Sequence, residues 1–266
     1  MTRTISTSMS GILERLELER PTIVTSEGLA RMLQEEGVLT PARIVAARLR
    51  QKGWLLPTHR RGAWEFVPAS SAGAYSSNDP LLPVESYMAK HGPASFGLTF
   101  QTAAWMHGIA DRVPAHLEVA AKDGQSARSM LGEMATSVFS PRLPYMVRKG
   151  IPLLAPESVV AHMAAKPCAV RSWQSALEWL PGLTELIKPE SMLEELSGRS
   201  SAVISRTGYL IQGMRQDIAD EIYAHNKPRY KTWFGPRTAL LRHDNKWLVA
   251  DTLLPFDPRK MDKVTK

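Results

Sequence analysis

The sequence predicts an α+β protein, with an N-terminal winged helix-turn-helix followed by a larger mixed α/β part. Three observations predict it. The stretch VLTPARIVAARLRQKGWLLPTHRRGAWEFVPA, residues 38–69, changes from a helical to a strand-like pattern directly after Gly53. Two capped amphipathic segments precede it. After residue 84, strand and helix signals follow one another in mixed order.

The elements justify this in turn. SGILERLELER, residues 10–20, puts Ile12, Leu13 and Leu16 on one side and mostly charged residues on the other, an amphipathic helix that Pro21 ends. TIVT, residues 22–25, is a short β-branched run that fits a small strand. Thr25 or Ser26 caps a second helix through about Glu36, with Leu29, Met32 and Leu33 inward, and Gly37 closes it as a glycine C-cap. Thr40 reads as an N-cap and Pro41 as the first residue of a third helix running to Lys52, before Gly53. At roughly 100° per residue, Ala42, Val45, Ala46 and Leu49 share a core face. Arg43, Ala47, Arg48 and Gln51 lie opposite with Ile44, and Arg50 and Lys52 flank the seam. WLLP and AWEFVP then read as two strands around the turn Thr58-His59-Arg60-Arg61-Gly62.

Composition sets the domain plan. The chain of 266 residues suits two domains, and 44% hydrophobic residues can fill their cores. PASSAGAYSSNDPLLP, residues 68–83, reads as a linker. The expected division is a winged helix-turn-helix over 1–70, a linker over 71–83 and an α+β domain over 84–266. Cys168 is the single cysteine, so a disulfide framework is excluded. The N-terminus lacks the apolar core of a signal segment, and no apolar run has membrane-spanning length. A cytoplasmic protein with no membrane partner is expected.

The charge has a place as well as a sign. There are 33 Lys and Arg against 26 Asp and Glu, a formal charge of +7. Five arginines, one lysine and one histidine fall between Arg43 and Arg61, and no acid follows Val38 until Glu65. Basic residues on a helix face are ordinarily just solvated, and a basic turn is common. Their joint occurrence with a capped helix and an immediate hairpin points to DNA. The third helix would enter the major groove, and the wing turn would reach phosphate or the minor groove. The candidate DNA-binding residues are Thr40, Arg43, Arg48, Arg50, Gln51, Lys52, His59, Arg60 and Arg61, with Arg60 and Arg61 mainly on phosphate. A winged helix can also serve as a protein-contact module, which is the competing reading of this segment.

In the second part, residues 98–107 read as a helix ending at Gly108, and HLEVAA and TSVFS as strands. Helices are expected over 156–166, 172–180 and 190–196. A longer one over 206–224 has a possible interruption at Gly213. TALLRH and KWLVADTLL form a closing hairpin about Asp244-Asn245. No catalytic constellation stands out. The seven histidines form no helical metal pair, and phosphate-loop, dinucleotide-glycine and nucleophile-elbow patterns are missing. No catalytic residue, metal site or cofactor is expected. Glu118 and Lys122 invite a nuclease reading, but their spacing is two residues longer than the acid-x-lysine pair of metal-dependent nucleases. His107 reads as a helix-end residue whose imidazolium caps carbonyls. Trp105, Trp173, Trp179, Trp233 and Trp247 read as core or interface. Lys227, Arg229, Lys231 and Arg237 form a second basic group, read as a solvated face.

ERPTIVTSEGLARMLQEEG and RLRQKGWLLPTHRRGAWEFVP together resemble the N-terminal winged-helix domain of AbiEi-type antitoxins of bacterial abortive-infection (AbiE) systems. TAAWMHGIADRVPAHLEVAA at 102–121, LLAPESVVAHMAAKP at 153–167 and SRTGYLIQGM at 205–214 resemble segments of their second domain, in the family's order. The pairs Gly53-Trp54 and His107-Gly108 carry much of the resemblance. It implies a non-enzymatic transcriptional autorepressor of a type IV toxin–antitoxin system. Its partners would be inverted repeats in its own promoter and a nucleotidyltransferase toxin that the second domain counteracts. The alternative is a nuclease or other nucleic-acid enzyme guided by the winged helix.

Overall fold

The computed structural model describes residues 7–71, 76–92, 96–129 and 134–263. The chain divides into two compact units, residues 1–94 and 95–266. The first contains α1 (Thr7–Glu19), β1 (Ile23–Thr25), α2 (Ser26–Glu35), α3 (Ala42–Gln51), β2 (Leu55–Pro57), β3 (Ala63–Phe66) and α4 (Leu82–His91). β3 lies between β1 and β2, antiparallel to both. Three helices on a sheet whose last two strands form a hairpin make the winged helix-turn-helix arrangement that the sequence predicts.

Local chemistry sets the ends of these elements. Thr25 Oγ1 accepts from Gly28 N at 3.0 Å and starts α2. Gly37 takes φ +66, a left-handed turn in which Val38 N donates to Leu33 O at 2.8 Å. Pro41, not Thr40, holds the N-cap position of α3, with no side-chain cap. An extended pre-helical residue suits proline's fixed φ there, so the helix starts one residue later than expected. Leu16, Leu29, Leu33, Val45, Leu49, Trp54 and Phe66 meet in one core, each aliphatic contributing roughly 1.5–3 kcal/mol by burial.

The boundary differs from the expected linker over 71–83. The proline within the first turn of α4 (Leu82–His91) looks in sequence like linker punctuation, yet it opens a helix. Val84, Ser86 and Tyr87 of α4 are buried, and the helix packs on β1 and β3. The first unit therefore extends to residue 94.

The second unit holds β4 (Phe96–Leu98), α5 (Phe100–Met106), β5 (Glu118–Ala121), α6 (Gly124–Ser129), β6 (Ala135–Val138), β7 (Met146–Arg148) and β8 (Ile151–Leu153). Then follow α7 (Pro156–Ala165), α8 (Trp173–Glu185), α9 (Pro189–Leu196), α10 (Ser201–Ile211), α11 (Gln216–His225), β9 (Thr232–Phe234), β10 (Arg242–Asp244) and β11 (Val249–Asp251). A mixed sheet runs β6-β5-β4-β8-β7, and a second sheet runs β10-β11-β9. Residues 98–107 are not one helix: Leu98 pairs with Val119 and Leu153 in the sheet, and α5 begins at Phe100. The apolar run is buried on all sides, which hides the change of period. α8 continues past Leu180 through Pro181, held by burial of Leu183 and Thr184. The expected helix over 206–224 is two. Gly213 lies between them where a Cβ would come within 2.1 Å of Pro258 O, so only glycine fits that close approach.

α10 carries a second close approach of this kind. A Cβ at Gly208 would meet the Trp247 ring at 2.1 Å, and Trp247 is fully buried. Gly208→Ala is therefore expected to destabilise the second unit by about 3 kcal/mol, the upper end of overpacking costs, although alanine is the better helix former. Urea unfolding measures it. An unchanged midpoint would mean that the indole is not seated on α10.

Candidate nucleic-acid interface

α3 is presented by the elements behind it. Val45, Ala46 and Leu49 are buried in the core of the first unit, so the opposite face is forced outward. Arg43, Arg48, Arg50 and Gln51 are exposed there, and Thr40 and Lys52 are half-buried at its two ends. Ile44 sits among them at 38% exposure. In the same unit, Glu19 and Glu35 are both paired with Arg15 of α1, Glu19 at 2.7 Å. Among the described residues, Arg43, Arg48, Arg50 and Arg61 make no ion pair and no side-chain hydrogen bond. Their charge is uncommitted.

The wing is built by its own turn. Thr58 Oγ1 donates to Ala63 O at 2.9 Å and accepts from Arg60 N at 3.2 Å. Gly62, at φ +79, brings its carbonyl to the start of α2, where Ser26 N donates to it at 2.8 Å. A Cβ at Gly62 would meet Ser26 Oγ at 2.7 Å, so the wing base closes on α2 only with glycine. His59 and Arg61 are exposed at the tip.

Arg60, expected on phosphate, is engaged within the first unit. Its guanidinium lies over the Tyr87 ring of α4, 4.4 Å from the centroid, and its Nη1 is 3.3 Å from His91 Nε2. Lys90 Nζ donates to Arg61 O at 2.9 Å. A guanidinium stacked on an aromatic face is held by cation–π attraction. Arg60 therefore braces the wing against α4 and leaves Arg61 and His59 outward. Sequence reasoning does not single out Tyr87, Lys90 and His91. Their signal is the helix-like run LPVESYMAKH, with proline in its first turn and basic residues in its last.

The second unit buries several polar groups. Glu118 of β5 accepts from Gln101 N at 2.9 Å, and its own N–H donates to Thr102 Oγ1 at 2.8 Å. Burial pushes its carboxyl up to about 7, against the downward pull of the α5 amides and of Arg171. Lys122 is exposed and lies past the end of β5, so no acid–lysine pair forms on one strand. His162 of α7 lies between the rings of Phe100 and Phe139, both 4.3 Å away. Its Nδ1 is 2.8 Å from Thr99 Oγ1 and its Nε2 2.9 Å from Ser137 Oγ. Burial pushes it down to about 3, and Arg199 and Lys166 add to the shift. His107 is the C-cap of α5, but its Nε2 bonds Leu154 O at 3.0 Å and burial lowers its pKa. It serves a carbonyl as a neutral ring rather than as the expected imidazolium. Trp173, Trp179 and Trp247 are buried, and Trp105 and Trp233 are half-buried. Lys227, Arg229, Lys231 and Arg237 are all exposed. Among the described residues no helix is long and apolar enough to cross a membrane, and no cluster of three or more metal-ligating side chains occurs.

The crystal structure of the RV2827C protein from Mycobacterium tuberculosis is similar over 99% of this chain and 96% of that one, with a TM-score of 0.79 and 22% identity. That likeness speaks for the fold. No curated protein matches the chain. Residues 95–213 match the family model of the AbiEi antitoxin C-terminal domain, starting where the second unit starts. Over these residues the second unit is thus similar to the C-terminal domain of AbiEi-type antitoxins.

Proposed function

We propose that the protein is a cytoplasmic, DNA-binding transcriptional autorepressor and antitoxin of an AbiE-like toxin–antitoxin system. Its first unit binds inverted repeats in its own promoter. Its second unit, similar to the AbiEi antitoxin C-terminal domain over residues 95–213, counteracts a nucleotidyltransferase toxin without itself being an enzyme. The observation that carries the DNA half is the uncommitted charge of Arg43, Arg48 and Arg50 on α3 and Arg61 at the wing tip. Free guanidinium groups on a helix-turn-helix and its wing suit base edges and phosphates. Arg43, Arg48 and Gln51 take the groove. Thr40, Arg50, Lys52, His59 and Arg61 take the backbone.

The two roles are expected to separate by deletion. Residues 1–94 should shift the protein's own upstream DNA and repress a reporter, but should not rescue cells from the toxin. Cutting after residue 71 instead removes α4 from β1 and β3 and should lower the fragment's melting temperature. A folded 1–94 fragment with no shift on that DNA removes the promoter-binding reading. Weaker binding than the full chain does not, because paired half-sites gain affinity from linkage.

A further inference from the structure

A half-enclosed cavity of about 150 Å³ lies in the second unit beside the start of α5. Phe100, Val170 and Trp179 give it apolar and aromatic walls, and the buried Glu118 lines it. Two basic residues, His116 and Arg171, stand in its exposed lining with Ala115 and Ser172. Trp179 is 3% exposed, and its Nε1–H has no hydrogen-bond partner among the described residues. A buried donor without an acceptor is costly and uncommon in a folded protein. Phe100 takes φ +47, a left-handed conformation rare for a bulky side chain and found preferentially at ligand sites.

These features specify a ligand. A cavity of about 150 Å³ holds one six-membered ring, as benzene fills an engineered cavity of that size, and a two-ring purine exceeds it. The ring needs a flat face for the aromatic walls, an N–H for Glu118 and an acceptor for Trp179 Nε1–H. Outside the cavity it needs an anion for Arg171 and His116. We propose that this cavity binds a cytosine nucleotide. The exocyclic amino group donates to Glu118, as cytosine amino groups do to carboxylates. The ring carbonyl accepts from Trp179, and the phosphate pairs with Arg171 and His116. The same chemistry is offered by free cytidine monophosphate and by an unpaired cytidine of a nucleic-acid strand. The proposal rests on the second unit alone and stands or falls separately from promoter binding.

The test is a titration of the full chain followed through the indole N–H signals, with the Trp179 signal assigned from Trp179→Phe. Cytidine monophosphate should move that signal at sub-millimolar concentration. Cytidine without phosphate should bind roughly tenfold more weakly, as should uridine monophosphate, which lacks the amino group. Adenosine monophosphate and inorganic phosphate should leave the signal in place. Arg171→Ala changes an exposed residue and keeps the fold. It should erase the difference between cytidine monophosphate and cytidine. Glu118→Gln should turn the preference towards uridine monophosphate, because the amide can donate to the uracil carbonyl. Movement by a short cytidine strand alone assigns the ligand to a strand, and movement by the mononucleotide assigns it to the free form. The proposal is overturned if neither moves the Trp179 signal, if phosphate alone moves it equally, or if Arg171→Ala leaves both affinities unchanged.

Discussion

Changing Arg43, Arg48 and Arg61 together to alanine is expected to abolish operator binding and leave the fold intact. All three side chains are exposed and uncommitted, and surface substitutions of this kind usually change stability by less than about 0.5 kcal/mol. Removing one guanidinium from a base edge should cost roughly 1–3 kcal/mol, so the two substitutions at Arg43 and Arg48 alone amount to an affinity drop of at least about thirtyfold. Removing Arg61 from a phosphate should flatten the slope of log affinity against log salt by about 0.9. Arg60 is left in place because its guanidinium is stacked on Tyr87. Band shifts over a salt series measure both quantities. The triple variant should still rescue cells from the toxin when expressed from a foreign promoter. Unchanged affinity and slope would remove the wing and α3 from the DNA. Loss of rescue by a well-folded triple variant would make the winged helix a toxin-contact surface instead.

The second large effect is a pH dependence hidden by two opposed groups. Glu118 is raised from 4.5 to about 7. Between those values the folded state holds a proton that the unfolded state has lost, so this group's contribution to stability falls as pH rises. His162 is lowered from 6.5 to about 3. Between those values the unfolded state holds the extra proton, so its contribution is lost as pH falls. Across their full ranges Glu118 contributes roughly 3 kcal/mol and His162 roughly 5 kcal/mol. From about pH 4.5 to 6.5 the two slopes have opposite signs and nearly cancel. The wild-type chain should therefore show a flat contribution from this pair, and single variants should expose one slope each. Glu118→Gln should lose stability with acid over that window. His162→Gln should be less stable than wild type at neutral pH, with the gap narrowing as pH falls. Urea midpoints at several pH values decide it. Parallel profiles for all three proteins would mean that neither group titrates differently in the folded state.

Much of the first unit is legible in the sequence because its signals are local. Thr25 caps a helix, Gly37 and Gly53 end helices, and the 3.6-residue spacing of Val45, Ala46 and Leu49 fixes which face of α3 is outward. A basic outer face then follows from the sequence alone. The single-residue shift at Thr40 and Pro41 is the ordinary uncertainty of a helix end.

What the sequence determined by itself was the α+β class, the winged-helix order of elements, the basic outer face of α3 and a resemblance in the second part that the antitoxin-domain match at residues 95–213 bears out. Only the tertiary structure decided the rest, because those features depend on packing between residues far apart in the chain. Arg60 looks like Arg61 in the sequence, yet Tyr87, on a later helix, turns one inward and leaves the other free. Leu98 carries a helical pattern, and its pairing with Val119 and Leu153 makes it a strand. Glu118 and His162 are ordinary titratable residues in the sequence. Burial against α5 and between Phe100 and Phe139 shifts them in opposite directions, since desolvation penalises whichever form is charged.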